Sequence, residues 1–359
     1  IALFIIWLLV GSLPVTAIVF LTGGVAPSEI LLAYVLLTFS AMVYGSIGIA
    51  CSAVAKSQGK ATLLAYAAAI ALFIGTCIPA VPAIMHTVDG QTAYFSAINA
   101  LGAPGASSFK EIYFGISFPA WLISGIVNAS LTAIFTLLAA HHLSGCQPRY
   151  AVLLRRTIFG MLVAFAALLG GAAQLSIGDI QLFVFLAPLA LVATFGTGAA
   201  ANNTAEGSIW KRVFSGSDVA SGRMFAVVTY TVAAISMFGL NLVFRQWTPV
   251  DDLPFTSRAL GQLLVSGFMN TAALTGVAAL AMRFLKERWG ALGFTLLGWA
   301  TPMFILGICT AFLPSSSSEA IGFIAQTTVF DYSQSPNTSH WILTAVAGAA
   351  CWIVARWKR

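Results

Sequence analysis

The chain has 359 residues, 59% apolar and only 8% charged, with 17 Lys and Arg against 11 Asp and Glu for a net charge of +6. A soluble domain carries about 25% charged residues, so this composition excludes a water-soluble globular fold and leaves most of the surface to lipid or to neighbouring helices. The basic excess forms no cluster dense enough to neutralise a row of phosphates, which excludes nucleic acid and assigns the charge to the membrane surface.

The chain opens at Ile1, already inside an apolar run, with no basic n-region and no Ala-x-Ala site, so it does not read as starting with a cleaved signal peptide. A spanning helix needs about 20 apolar residues without charge. Ten stretches qualify, and the sequence predicts helices near residues 2–21, 30–55, 61–83, 119–142, 157–175, 180–200, 224–244, 260–282, 290–313 and 339–356. The fold class is therefore all-α, a polytopic helical membrane protein. One further charge-free run, 90–109, holds Gln91, Thr92, Ser96 and Asn99 with three glycines and a proline, and reads as an interfacial segment. The run that follows holds Pro119 and is too long for one helix, which leaves room for a short re-entrant element before the span.

Alternating the sides of ten spans places Lys56, Lys60, Arg149, Arg155, Arg156, Lys211, Arg212, Arg223, Arg283, Lys286, Arg288, Arg356, Lys358 and Arg359 on one face. That is 14 of the 17 cations, leaving Lys110, Arg245 and Arg258 opposite. Acids divide the other way, with only Glu206, Asp218 and Glu287 on the basic face. By the positive-inside rule the basic face is cytoplasmic, and the C-terminus lies there. Trp210, Trp247, Trp289, Trp341 and Trp357 fall near helix ends, where amphipathic rings favour the interface.

The linker Ser144-Gly-Cys-Gln-Pro-Arg-Tyr150 divides the chain into a first part, 1–145, and a six-helix extension, 146–359. The long loops of the extension are 201–223 on the inner side and 314–340 on the outer side, the second with the serine run Ser315–Ser318.

Chemistry has little to work with. The five cysteines (Cys51, Cys77, Cys146, Cys309, Cys351) are scattered without a CxxC or Cys/His spacing and read as small core residues. His141 and His142 end the fourth predicted span. They read either as a metal or proton site or, with more weight, as interfacial residues favourable at a helix C-terminus. His86, His340 and the pair Asp251-Asp252 lie in loops, and Asn-x-Ser/Thr at Asn202 and Asn337 is a short pattern of little specificity. Every predicted span is free of Asp, Glu, Lys and Arg in its interior, which weighs against an ion-coupled carrier and against an intramembrane hydrolase. No GxxxxGK[ST] loop occurs, so ATP is not bound here in that way. The sequence predicts no catalytic residues, metal or cofactor on this chain.

The stretch 21–80 is the most patterned. Gly23-Gly24 ends one helix where positive φ is cheap, and Pro27, Ser28 and Glu29 suit the first turn of the next. Gly45 and Gly48 share a face and permit close helix contact. Lys56 and Lys60 bracket a short inner loop, available to a partner or to anionic lipid. In order, the residues Leu13-Pro14, Leu21-Thr-Gly-Gly-Val-Ala-Pro-Ser-Glu29, Tyr44-Gly-Ser-Ile-Gly48, Cys51-Ser52-Ala53, Lys56 and Lys60-Ala-Thr-Leu-Leu-Ala-Tyr66 resemble the membrane subunit of ABC transporters of the ABC-2 type. Leu137-Leu-Ala-Ala-His-His-Leu143 is similar to the last core helix of that family.

The resemblance covers roughly residues 5–145 and implies a permease subunit, an exporter in the bacterial inner membrane. It also implies two membrane halves, homo- or heterodimeric, and ATP bound and hydrolysed on a separate ABC ATPase subunit. Gly23, Gly24, Pro27, Glu29, Gly45, Gly48, Ser52 and Tyr66 carry the motif, with Lys56 and Lys60 as partner contacts. The family core has six helices; only its last four or so are visible, so its first helix and main coupling segment are expected upstream of Ile1. The extension, 146–359, resembles no family, and a membrane enzyme or scaffold with its site in loops 201–223 or 314–338 is the competing reading.

Overall fold

The computed structural model describes residues 11, 26–55, 57–77, 110–145, 147–171, 209–215, 219–245, 257–285, 295, 350 and 353. Seven helices and one hairpin are described: α1 (Pro27–Val54), α2 (Gln58–Cys77), β1 (Lys110–Tyr113), β2 (Ile116–Pro119), α3 (Ala120–Leu143), α4 (Pro148–Gly170), α5 (Ile209–Ser215), α6 (Val219–Arg245) and α7 (Ser257–Leu285). Among the described residues, four helices are long and apolar enough to cross a membrane: Pro27–Val54, Trp121–Leu143, Arg149–Gly170 and Ser221–Val243. The chain is thus a helical membrane protein. The predicted spans at 2–21, 180–200, 290–313 and 339–356, and the interfacial run 90–109, lie outside the described residues.

The chain divides into two compact units, Ile1–Thr157 with Gly171–Asp179, and Ile158–Gly170 with Ile180–Arg359. The division falls inside α4.

In the first unit, α1 begins where its sequence allows. Pro27 takes the first turn, where its missing N–H is no loss, and Glu29 adds negative charge beside the exposed amides. The helix buries Leu36, Ser40, Val43, Ser46, Ile47, Ala50 and Cys51. Most of these recur at steps of three and four, forming one stripe that faces protein while Leu31, Val35, Met42 and Ile49 face outward. Val43, Ile47 and Cys51 pack with Ala65, Ala68 and Leu72 of α2 and with Leu131 and Phe135 of α3. Val43, Ile47 and Cys51 of α1 thus share one core with α2 and with the middle of α3. Thr38, Ser46 and Ser52 bond back to carbonyls one turn earlier (2.8, 2.7 and 2.8 Å), which satisfies their hydroxyls where water is absent.

Helix α3 ends in a turn that only glycine makes easily. Gly145 has φ 72, its N–H reaches the His142 carbonyl at 3.3 Å, and Ser144 N–H reaches Ala140 at 3.0 Å. Pro148 then starts α4, nine residues before the predicted start at 157. Arg149, Arg155 and Arg156 led the expectation astray: charge bars a residue from lipid, not from a helix. Arg155 is only 1% exposed, so the helix Arg149–Gly170 carries a buried cation two residues before the predicted span 157–175, whose interior is free of charge.

Before α3, where a re-entrant element had room, the chain forms a hairpin. Lys110 pairs with Pro119, Glu111 with Phe118, Ile112 with Ser117 and Tyr113 with Ile116. The Phe114-Gly115 turn has both φ values positive, 53 and 74, the pattern of a type I′ turn whose twist matches paired strands. Among the described residues this hairpin is the departure from an all-helical fold.

In the second unit, α5 occupies part of the predicted loop 201–223 and α6 begins at Val219. Phe214 meets Phe159 of α4 edge-on at 5.4 Å, Phe225 of α6 edge-on at 5.8 Å, and stacks with Trp210 at 6.4 Å. Val213 and Phe225 are fully buried while Trp210 is exposed, so α5 is amphipathic, with its ring at an open face. A Cβ on Gly170 would lie 2.5 Å from the Met237 carbonyl and 3.0 Å from the Leu240 Cβ, which shows how closely α4 approaches α6 there. Helix α7 packs on α6 through Gly267, against which the Tyr230 hydroxyl lies, and that hydroxyl donates to the Leu264 carbonyl at 3.3 Å.

Candidate functional site

The residues singled out from the sequence do not converge on one site. Pro27 and Glu29 are exposed at the first turn of α1, and Ser52 lies at its last, about 35–40 Å away at 1.5 Å per residue. Lys60 is exposed in the first turn of α2, and Tyr66 is 67% exposed on that helix. Gly45 is half-buried. A Cβ on Gly48 would meet nothing within 4 Å, so nothing described in this chain supplies a close helix at that face. Gly23, Gly24 and Lys56 lie outside the described residues, as do Leu13-Pro14, His86, Asp251-Asp252, His340 and the loop 314–338. The set marks the two ends and the outward faces of a helical pair.

The first unit buries polar groups at two levels of its helices. One is within the spans. Ser40 of α1 and Ser124 and Asn128 of α3 are all buried. The Asn128 amide donates to the Ser124 hydroxyl at 3.4 Å, and Thr132 donates to the Asn128 carbonyl at 2.9 Å. Ser40 lies one turn before Val43 on the buried stripe of α1. Its Oγ is buried without a hydrogen-bond partner, so it offers a polar ligand or a water one hydroxyl to bind.

The second level is at the turn between α3 and α4. His141 is 0% exposed. Its Nδ1 lies 3.2 Å from the Gln147 carbonyl, and because a carbonyl only accepts, Nδ1 carries the proton and donates. Its Nε2 is buried without a hydrogen-bond partner. His142 stands edge-on to it, ring centres 5.3 Å apart, and Ser144 donates to the His141 carbonyl at 3.2 Å. The charge of Arg155 acts on His141 across this turn. Of the two readings open for the histidine pair, a cation site is poorly served beside a buried guanidinium. Among the described residues no group of three metal-ligating side chains occurs. The turn reads as a polar plug that fixes the α3–α4 connection.

Sequence reasoning passed over Ser124, Asn128 and the burial of Arg155. The first two were visible as uncharged polar residues four apart in an apolar run, hence on one helix face. Cys51 is free and buried, a core residue as its apolar surroundings imply. Comparison with family models, with curated proteins and with solved structures finds no match to this chain.

Proposed function

We propose that this chain is the membrane subunit of an ATP-driven transporter of the ABC-2 type, exporting its cargo across the bacterial inner membrane. In this reading it crosses the membrane ten times with its C-terminus in the cytoplasm, pairs with a second membrane half, and performs no bond chemistry. ATP is bound and hydrolysed by a separate ATPase subunit, whose closure moves the helices of the first unit. The observation that supports the reading best is the ordered motif of residues 21–66, whose described portion forms a helix opening on Pro27 and Glu29, an exposed Ser57, and a second helix opening beside Lys60. The half-buried Gly48, which no described residue approaches within 4 Å of a Cβ placed there, suits a second membrane half. The buried Ser40, Ser124 and Asn128 offer the polar lining that a passage needs and that a purely structural helix pair does not.

In this reading Lys60, exposed in the first turn of α2, meets the ATPase. A photo-crosslinking residue in place of Lys60, activated in intact cells, should capture an ATPase subunit bearing a phosphate-binding loop. Efficient crosslinking to lipid alone, with no protein adduct, refutes the assignment of this turn.

A further inference from the structure

Helix α5, Ile209–Ser215, combines the marks of protein packing and of a membrane surface within two turns. Val213 is fully buried, and Phe214 meets Phe159 of α4 and Phe225 of α6 edge-on. Phe225 lies in the second turn of the crossing helix Ser221–Val243, so α5 sits beside one end of that span rather than along its middle. Trp210 stacks on Phe214 with the rings 16° apart, yet 55% of it is exposed. Lys211 and Arg212 take the two positions between Trp210 and Val213, which the helical period puts on the side away from Val213 and Phe214. Over residues 209–225 three cations, Lys211, Arg212 and Arg223, stand against one acid, Asp218. An exposed indole beside the end of a span, on a short helix packed on one side and basic on the other, is the pattern of an element lying in the interface plane. A neutral headgroup would give the indole its boundary but Lys211 and Arg212 no net attraction. An acidic headgroup gives both.

We propose that α5 is a docking site for anionic phospholipid: the Trp210 ring rests at the boundary of headgroups and acyl chains, and Lys211 and Arg212 bind the phosphates of acidic headgroups. Each cation beside an anionic surface is worth about a fivefold enrichment, and the amphipathic indole sets the depth. Such a site serves a transport subunit and a membrane enzyme alike, so it does not rest on the transport reading.

Hydrogen exchange of the full-length protein tests this, in nanodiscs of phosphatidylcholine alone and of phosphatidylcholine mixed with phosphatidylglycerol. With the acidic lipid present at low salt, the amides of 209–215 are expected to exchange at least about fivefold more slowly. Raising the salt should remove most of that slowing, because exposed charges are screened. Lys211→Gln combined with Arg212→Gln should abolish it, while exchange in 221–243 stays as in the unmodified chain. Should the double variant not fold, the salt series on the unmodified chain carries the test. Equal exchange in the two lipids overturns the proposal, because α5 then meets no acidic headgroup. Slowing that survives in the double variant or at high salt overturns it equally, because the lipid then acts elsewhere. Inorganic phosphate that slows 209–215 in phosphatidylcholine alone also overturns it, because the cations then hold a free anion and not a lipid.

Discussion

Replacing Gly267 with alanine pits two effects of known size against each other. Alanine inside a helix is favoured over glycine by about 1 kcal/mol, so an unobstructed site would gain stability. At residue 267 the new Cβ would overlap the Tyr230 hydroxyl and lie 2.7 Å from the ring carbon that bears it. Tyr230 is 0% exposed and held by its bond to Leu264, so the ring cannot swing aside. Overpacking of this kind costs about 1–3 kcal/mol, and an overlap with a rigid ring belongs in the upper half of that range. The net expectation is a loss of about 1–2 kcal/mol. Tyr230→Phe alone removes one long hydrogen bond, worth roughly 0.6 kcal/mol between membrane helices. In the double variant the clashing oxygen is gone, so the loss should fall short of the sum of the singles by about 1 kcal/mol. The assay is thermal unfolding of the full chain in detergent, with the midpoints of all four proteins compared. Gly267→Ala at or above the unmodified midpoint, or strictly additive losses, would refute the packing argument.

Other consequences are as direct. Gly170→Ala places its Cβ 2.5 Å from the Met237 carbonyl and should destabilise by roughly 1–3 kcal/mol, read as a lower unfolding midpoint. His141→Ala opens a cavity and removes the bond to Gln147, so it should cost about 2–3 kcal/mol; the same change at half-buried His142 should cost less, by the same measurement. Arg155→Met should lower the yield of folded protein, because neighbours arranged around a buried guanidinium lose it. Arg155→Lys should restore that yield only in part, since an ammonium lacks the planar fork; size-exclusion profiles of the three proteins decide this. A single cysteine at Ser117 should react with a membrane-impermeant maleimide added outside cells, and one at Ser57 should not; the opposite labelling contradicts the orientation drawn from charge.

Helical character was legible because it rests on local rules. Pro27 and Glu29 announce the start of α1, and the structure begins the helix at Pro27 where the charge gap pointed to residue 30. The start of α4 was misplaced because its signal, Pro148, stood beside arginines that a lipid-facing helix would not tolerate. That Arg155 faces protein is decided by packing, which one chain of letters does not display. The hairpin was hidden for a related reason. Its turn has glycine only in the second position, and Phe114 adopts a positive φ by virtue of Gly171, a residue remote in sequence. Ser40, Ser124 and Asn128 were readable as polar but not as buried, since burial follows from the packing of α1 and α3. Of the motif residues, Pro27 and Glu29 were legible in local role, while Gly48, expected at a close helix contact, meets nothing within 4 Å, and the structure spreads the described ones along two helices instead of gathering them.

The central claim is that a partner energises this chain, and co-purification tests it most directly. Full-length tagged protein, expressed at native level and extracted in mild detergent, should bring with it an ABC ATPase subunit, with ATP hydrolysis measurable in the eluate. A clean preparation without any ATPase would contradict the account and turn the search towards an enzyme in the loops of the second part.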